Sequence, residues 1–326
     1  MKFKTYKSIP FIFEIFYENP FIPLYIYIFL YIDRTIKIYD VAGSTYTLTA
    51  TLQGHQGPVW EVSWAHPKYG IVLASCSFDG SILIHREIRP REWLLIYAGR
   101  NVHESSINSV SFAPHEYGLI LAAASSDGRV SVLRHGEDNV WNVEYIVDNS
   151  LGVNAVSWAP YSVSSNTNGT KGWSPLRLVT GGCDHQIRFW AFTSITQTWE
   201  KEVGQPSNAL KPCHTDWVRD VAWAPCIIPG IQIVASCSED RTVIIWTENT
   251  TEGSADTGWT PALLHTFEAP VWRLSWSITG NILAVSSGDN NVTLWKQQLD
   301  KVWSQVGHVE EPTTVTNTSS AVSAGQ

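Results

Sequence analysis

CHTDWVRDVAWAPCIIPGIQIVASCSEDRTVIIW, residues 213–246, is the stretch whose reading decides the fold. A histidine opens it, and a short apolar alternation follows at Val218, Val221 and Trp223. Ala224-Pro225 punctuates the chain as a turn. A second apolar run, Ile231 to Cys237, stops at Ser238-Glu239-Asp240. A third, Thr242 to Trp246, is β-branched and closes on tryptophan. Three runs of strand composition separated by turn residues predict three antiparallel strands, with Ala262 to Phe267 as a fourth.

The pattern recurs. It reappears as GHQGPVWEVSWAHPKYGIVLASCSFDGSILIH at 54–85 and as HESSINSVSFAPHEYGLILAAASSDGRVSVL at 103–133. VNAVSWAP at 153–160 joins LVTGGCDHQIRFW at 178–190, and APVWRLSWSITGNILAVSSGDNNVTLW covers 269–295. DRTIKIYD, at 33–40, is a truncated copy. The turn aspartates Asp33, Asp79, Asp127, Asp184, Asp240 and Asp289 lie 46, 48, 57, 56 and 49 residues apart. Units of this length with four strands each are the mark of a propeller. The units resemble WD repeats, although only Tyr39-Asp40 keeps the Asp of the dipeptide that names them. The resemblance implies a buried hydrogen-bond tetrad of His214, Ser236, Asp240 and Trp246. Other units keep parts of it: His55, Ser75 and Asp79; His103 and Asp127; and Thr180, Asp184 and Trp190, with Asn149 in the histidine's place.

Length alone, 326 residues, would allow two domains, and one propeller also accounts for it. The net charge of −8 and the lack of any Lys/Arg run give no electrostatic case for nucleic acid or anionic lipid. Five cysteines, an odd number without a C-x-x-C pair, point to a reducing compartment. Cys76 and Cys237 occupy the same place in two repeats, which predicts burial. Trp64, Trp158, Trp223 and Trp276 recur likewise and read as core.

Residues 1–32 break the pattern. They contain six Phe, seven Ile and five Tyr, with no Gly, Ala, Val or Trp. The apolar run Phe21 to Ile32 is short of the ~20 residues that span a bilayer, and Pro23 interrupts it. No small-residue cleavage site follows, as a signal peptide would need. These residue types use AT-rich codons, so the segment reads as translated intron, with Leu24 to Ile32 still able to fill a strand position. A chain starting at Asp33 is therefore expected to fold no worse. Propeller units are expected over 33–306, a polar surface loop over 161–175, and a disordered tail over 307–326.

Ser236, His214 and Asp240 match a nucleophile triad by type. Partial copies in other repeats favour scaffolding instead, since a single active site would not recur. No G-x-S-x-G, H-E-x-x-H or P-loop is present, and the histidines lack metal-ligand spacing. No catalytic residue, metal or cofactor is expected. Glu61, Asp216 and Asp220 lie on or near inner strands and read as solvated rims. Four N-x-[ST] sequons, at Asn168, Asn249, Asn291 and Asn317, read as chance.

From Asp33 to about Val306 the chain resembles the six-bladed WD-repeat subunit shared by the COPII vesicle outer coat and the nuclear pore scaffold. SWAHPKYGIVLASCSFDG at 63–80, SFAPHEYGLILAAASSDG at 111–128, VNAVSWAP at 153–160, HTDWVRDVAWAP at 214–225 and WSITGNILAVSSGDNNVTLWK at 276–296 carry the likeness. It implies an all-β, WD40-type, open propeller of six blades, the first incomplete here, and a structural protein without catalysis. It also implies partners: an α-solenoid outer-coat subunit of COPII and a scaffold nucleoporin of the Y-complex, each inserting a further blade. The setting would be cytoplasmic, peripheral to the ER membrane through the coat, and at the nuclear pore. A nutrient-signalling complex at the vacuole or lysosome is a third setting of the family. Neither nucleic acid nor a small-molecule substrate is implied. Thr35, Ile36, Ile38, Tyr39, Val292, Leu294 and Trp295 are expected to form the edge that meets the partner's blade. The rival readings are another WD adaptor, such as a ubiquitin-ligase substrate receptor, and a propeller hydrolase.

Overall fold

The structure, a computed structural model, describes residues 12–13, 25–30, 33–42, 45–149, 151–161, 163–165, 171–173, 175–202, 212–225, 230–249, 258–299 and 301–309. Six four-stranded antiparallel sheets follow one another along the chain. In each, the order in space repeats the order in sequence. Strand–turn–strand runs of this length pair locally, so no strand has to travel. The quoted stretch forms Val218–Trp223, Ile231–Ser238 and Thr242–Asn249, and Trp259–Thr266 is the outer strand of that fifth blade. The sixth blade holds Val271–Trp276, Ile282–Ser287, Val292–Gln297 and Trp303–Val309.

The innermost strands of blades two to six are Val59–Trp64, Ile107–Phe112, Val153–Trp158, Val218–Trp223 and Val271–Trp276. Each lies against the next around the ring. All five begin with a β-bulge, at Trp60, Asn108, Asn154, Arg219 or Trp272. A bulge re-aims the residues beside it, here toward the central channel. At the far end of the strand an aromatic packs on a tryptophan of the same blade's outer strand. The pairs Trp64–Trp93, Trp158–Trp199, Trp223–Trp259 and Trp276–Trp303 have ring centroids 6.0, 5.9, 5.5 and 5.8 Å apart.

The first blade is built differently. Tyr25–Leu30 pairs with Ile36–Ala42 along six positions, and Thr45–Leu52 is the outer strand. Tyr25–Leu30, inside the stretch expected to be able to fill a strand position, thus supplies a strand. Among the described residues the innermost position of this sheet holds Ile12–Phe13, which pairs with Phe29 and Ile28. Within the 161–175 stretch, Val163–Ser165 and Lys171–Trp173 pair as a two-stranded ribbon. The rest of that loop apart from Tyr161 and Pro175, most of residues 1–32, and residues 310–326 of the expected tail lie outside the described residues. The outer strand of the sixth blade runs on to Val309.

Buried side chains fall into five clusters, each joining two neighbouring blades. Ile36 and Ile38 meet Val59 and Val62 between blades one and two. Cys76 and Ile84 meet Ile107, and Ala122 meets Val156 and Trp158. Phe189 meets Val218 and Trp246, and Ala235 meets Val271 and Trp295. Among the described residues no cluster joins blade six to blade one. Among the described residues, buried clusters seal five of the junctions between the six blades, and the junction of blade six with blade one, called the slot here, holds none.

Candidate interaction site

The turn aspartates do local work first. Asp33, Asp79, Asp127, Asp184, Asp240 and Asp289 each accept the backbone N–H two residues on, from Thr35, Ser81, Arg129, Gln186, Thr242 and Asn291. The residue between is left-handed in all six: Arg34, Gly80, Gly128, His185, Arg241 and Asn290 have φ from 64° to 83°. A side-chain acceptor that replaces a turn hydrogen bond is what permits this conformation outside glycine.

Behind the turn, the structure brings His214, Ser236, Asp240 and Trp246 together. His214 Nδ1 lies 3.2 Å from Asp240 Oδ2, and Nε2 lies 2.7 Å from Ser236 Oγ. Trp246 Nε1 donates to the same Ser236 oxygen at 2.8 Å. One tautomer satisfies everything: Nδ1–H donates to Asp240, Ser236 O–H donates to Nε2, and the serine oxygen accepts the indole. Thr215 N–H and Thr242 complete the shell of Asp240. Burial opposes ionisation of that carboxyl, but the His214, Thr242 and Thr215 hydrogen bonds outweigh it and hold it well below the usual range. The distances are those of a nucleophile triad, and the chemistry is not available. Ser236 is 0% exposed and its oxygen already holds the indole proton.

The other blades solve the same problem with different atoms. In blade two His55 bonds Ser75 and Ser81, and Ser81 relays to Asp79 at 2.5 Å. His85 fills the tryptophan's place, and burial lowers its imidazole to about 4. In blade three His103 bridges Asp127 and Ser131, the latter on the third strand, because the usual serine position is Ala123. In blade four the sequence alignment points to Asn149, but the buried group is its neighbour Asp148. Its carboxylate accepts Thr180 Oγ1 at 2.5 Å, Trp190 Nε1 at 3.1 Å and Arg188 at 3.0 Å. Arg188 balances the charge and also pairs with Asp184. Asp148 and Arg188 escape a reading by residue type, since neither belongs to the expected set. Arg177, also missed, fastens blade four to blade five through Glu248 at 2.9 Å and lies over the ring of Trp223.

A second system runs around the channel. Edge strands leave alternate N–H groups without a partner in their own sheet. Here side chains of the preceding inner strand take them. At the third position of the strand, Glu61 accepts Val110 N–H at 2.8 Å, Ser109 accepts Val156 N–H at 3.3 Å and Asp220 accepts Leu274 N–H at 2.9 Å. At the fifth, Ser63 accepts Phe112 N–H and Ser157 accepts Trp223 N–H, both at 3.0 Å. Indoles follow the same direction, Trp158 to the Ser111 carbonyl at 2.8 Å and Trp276 to that of Ala222 at 3.0 Å. Blade six ends the ladder with Arg273, which reaches across the channel to Glu61 at 3.2 Å.

This corrects the expectation of a solvated rim. Asp216 is half-buried, Asp220 is buried and Glu61 is fixed by two partners. Burial pushes the Asp220 carboxyl up to about 7, against the pull of Arg273, with Glu61 adding to the rise. Cys76 and Cys237 lie buried nearby, and burial raises both thiols. Among the described residues no group of three or more His, Cys, Asp or Glu could hold a metal ion, and no helix is long and apolar enough to cross a membrane.

The expected partner edge needs correction too. Ile36, Ile38 and Tyr39 lie on a third strand bonded on both sides, because Tyr25–Leu30 occupies the place the sequence pattern leaves empty. Thr35 is spent on Asp33. Ile36 and Ile38 turn toward blade two and are 1% and 2% exposed. Val292, Leu294 and Trp295 also sit on a doubly bonded strand. Trp295 turns back to blade five, 5.0 Å from the His265 ring. Register settles which side chains face the slot. Trp223 pairs with Val234 and Trp276 with Leu283. So Ala235, Cys237, Val243 and Ile245, which seal blade five to blade six, correspond to Ala284, Ser286, Val292 and Leu294. The slot is therefore met by a face of blade six rather than by a strand edge.

Comparison with known proteins agrees with this architecture. The family model described as WD domain, G-beta repeat matches residues 46–86, 98–133, 204–247 and 261–296. Protein SEC13 homolog of Drosophila melanogaster is 45% identical over 288 residues, covering 85% of this chain and 75% of that protein. Protein transport protein SEC13 of Yarrowia lipolytica is 45% identical over 285 residues, covering 86% and 90%. SEC13 of Chaetomium thermophilum is 46% identical over 282 residues, covering 86% and 88%. A chain from the crystal structure of the mitotic checkpoint complex superposes with a TM-score of 0.61 at 22% identity, over 83% of this chain and 71% of that one, a likeness of fold alone. With its repeats, its open six-bladed ring and this identity over most of its length, the chain belongs to the SEC13 family of WD-repeat β-propeller proteins.

Proposed function

We propose that this chain is a structural scaffold without catalysis, whose open propeller is completed by a blade inserted from an α-solenoid partner. The partner is the large outer-coat subunit in a COPII-type coat for ER-to-Golgi transport, and a Y-complex nucleoporin at the nuclear pore. The same insertion would serve a nutrient-signalling complex at the vacuole or lysosome. One observation carries the reading: among the described residues five junctions between the six blades hold buried clusters, and the register turns Val292 and Leu294 toward the sixth. The names of the relatives, protein transport proteins, support it. On that face Ala284 and Val292 are buried and Leu294 is half-buried, and a partner's strands would pack on Leu294 in the way apolar surface is covered at interfaces. The interface should exceed about 2,000 Å², in the range of obligate complexes.

The test is affinity purification of the tagged full chain, followed by identification of what remains bound at high salt. An α-solenoid protein carrying a strand-rich segment is expected. Fusing that segment to the N-terminus should raise the melting temperature, as any ligand specific to the native state does. A stable free monomer whose amide exchange at 33–40 and 292–296 ignores the added segment would overturn the reading.

A further inference from the structure

The channel ladder specifies the incoming strand, taking the blade insertion proposed above as given. Its contacts always run from one blade to the next. A hydroxyl at the fifth position of an inner strand takes the N–H of the sixth residue in the following strand, as Ser63 and Ser157 do. The carbonyl at that fifth position takes the indole of a sixth-position tryptophan, as those of Ser111 and Ala222 do. On blade six the fifth position is Ser275, and the strand that follows it is the one that fills the slot. The third position there is Arg273, a donor with no acceptor to offer, engaged with Glu61. Ser275 thus offers both acceptors of the ladder, the hydroxyl used after blades two and four and the carbonyl used after blades three and five.

We propose that Ser275 registers the innermost strand of the inserted blade, and that this strand carries a tryptophan as its sixth residue. The backbone N–H of that tryptophan lies on Ser275 Oγ and its indole N–H on the Ser275 carbonyl. The first and fourth residues of the strand are apolar, as Val271 and Leu274 are where they seal blade six to blade five. They pack on the half-buried Leu294, beside the buried Ala284 and Val292. The occupant is therefore a strand hairpin of stated chemistry, a chemical copy of the inner strands already in the ring.

A labelled synthetic hairpin with the sequence of Val271–Ser287 is the probe, titrated with the full-length protein and followed by fluorescence anisotropy. Binding is expected, and Trp276→Leu in the hairpin should weaken it at least about tenfold, since buried tryptophans dominate interfaces. In the protein, Ser275→Val should weaken binding about three- to tenfold, the worth of one hydrogen bond, while the isosteric Ser275→Thr should retain it. Thermal melts of both variants show that each is folded, and Ser275→Ala replaces the valine variant if it is not. Equal affinity for the Trp and Leu hairpins, or no binding of either, overturns the proposal. So does a protein that self-associates through the slot and ignores the hairpin, which would make a second copy the occupant. A captured solenoid protein that binds Ser275→Val as tightly as wild type removes the docking point and leaves blade insertion standing. The lack of any solenoid partner removes insertion itself.

Discussion

Asp240 shows how one side chain serves two levels of structure. Its Oδ1 caps the turn through Thr242, and its Oδ2 receives Thr215 N–H and His214. Asp240→Ala strands several buried donors at once and should cost about 2–3 kcal/mol. Asp289 closes its turn with Ser287 and Asn291 alone, near the surface and without a histidine. Its alanine variant should lose visibly less. Urea midpoints measure both, and equal midpoints would refute the ordering. The buried share has a pH signature. Asp240 is held below its unfolded value, so its contribution is present above about pH 4 and fades as acid protonates it.

At the scale of strands and blades, alternation and turn residues made most of the fold legible. Val218–Trp223 and Thr242–Asn249 lie where β-branched runs end on tryptophan. What was not legible has a common cause: a repeat fixes a geometric position, and any chemistry that fills it will do. Asp148 replaces a histidine from one residue away, and Ser131 replaces a serine from a neighbouring strand. Tyr25–Leu30 fills a strand place without any repeat signature, because an edge asks for backbone and strand propensity rather than for particular side chains. The expected partner edge failed for that reason. A chain beginning at Asp33 tests the strand. Blades two to six keep their own clusters, and Ile36 and Ile38 keep Val59 and Val62. The expected loss is about 1 kcal/mol, a shift of about 2–4 °C in Tm. Faster amide exchange should be confined to Ile36–Ala42. Loss of a single cooperative melt would show that the first blade depends on its N-terminal strands.

Across the whole molecule the channel gathers charge from blades two, five and six. Glu61, Asp220 and Arg273 face one another there, with the Cys76 and Cys237 thiols beside them. Asp220 is the member raised in the folded state, to about 7, so folding favours its proton. Its contribution is therefore complete below the unfolded value near 4 and is lost as pH rises toward 7. Relative to Asp220→Asn, which can still accept Leu274 N–H, the denaturation midpoint of the wild type should fall across that window. A constant difference between the two would mean that the carboxyl titrates at an ordinary value. A final consequence follows from the order of strands. Among the described residues every four-stranded sheet, the first and the last included, takes its strands in chain order, so none of these sheets borrows a strand from the opposite terminus. A ring closed by such borrowing leaves its first blade unfinished until synthesis ends. Here each blade can pair its strands as soon as its own stretch of chain has left the ribosome, and native contacts remain local. The nascent protein can mature blade by blade from the N-terminus onward.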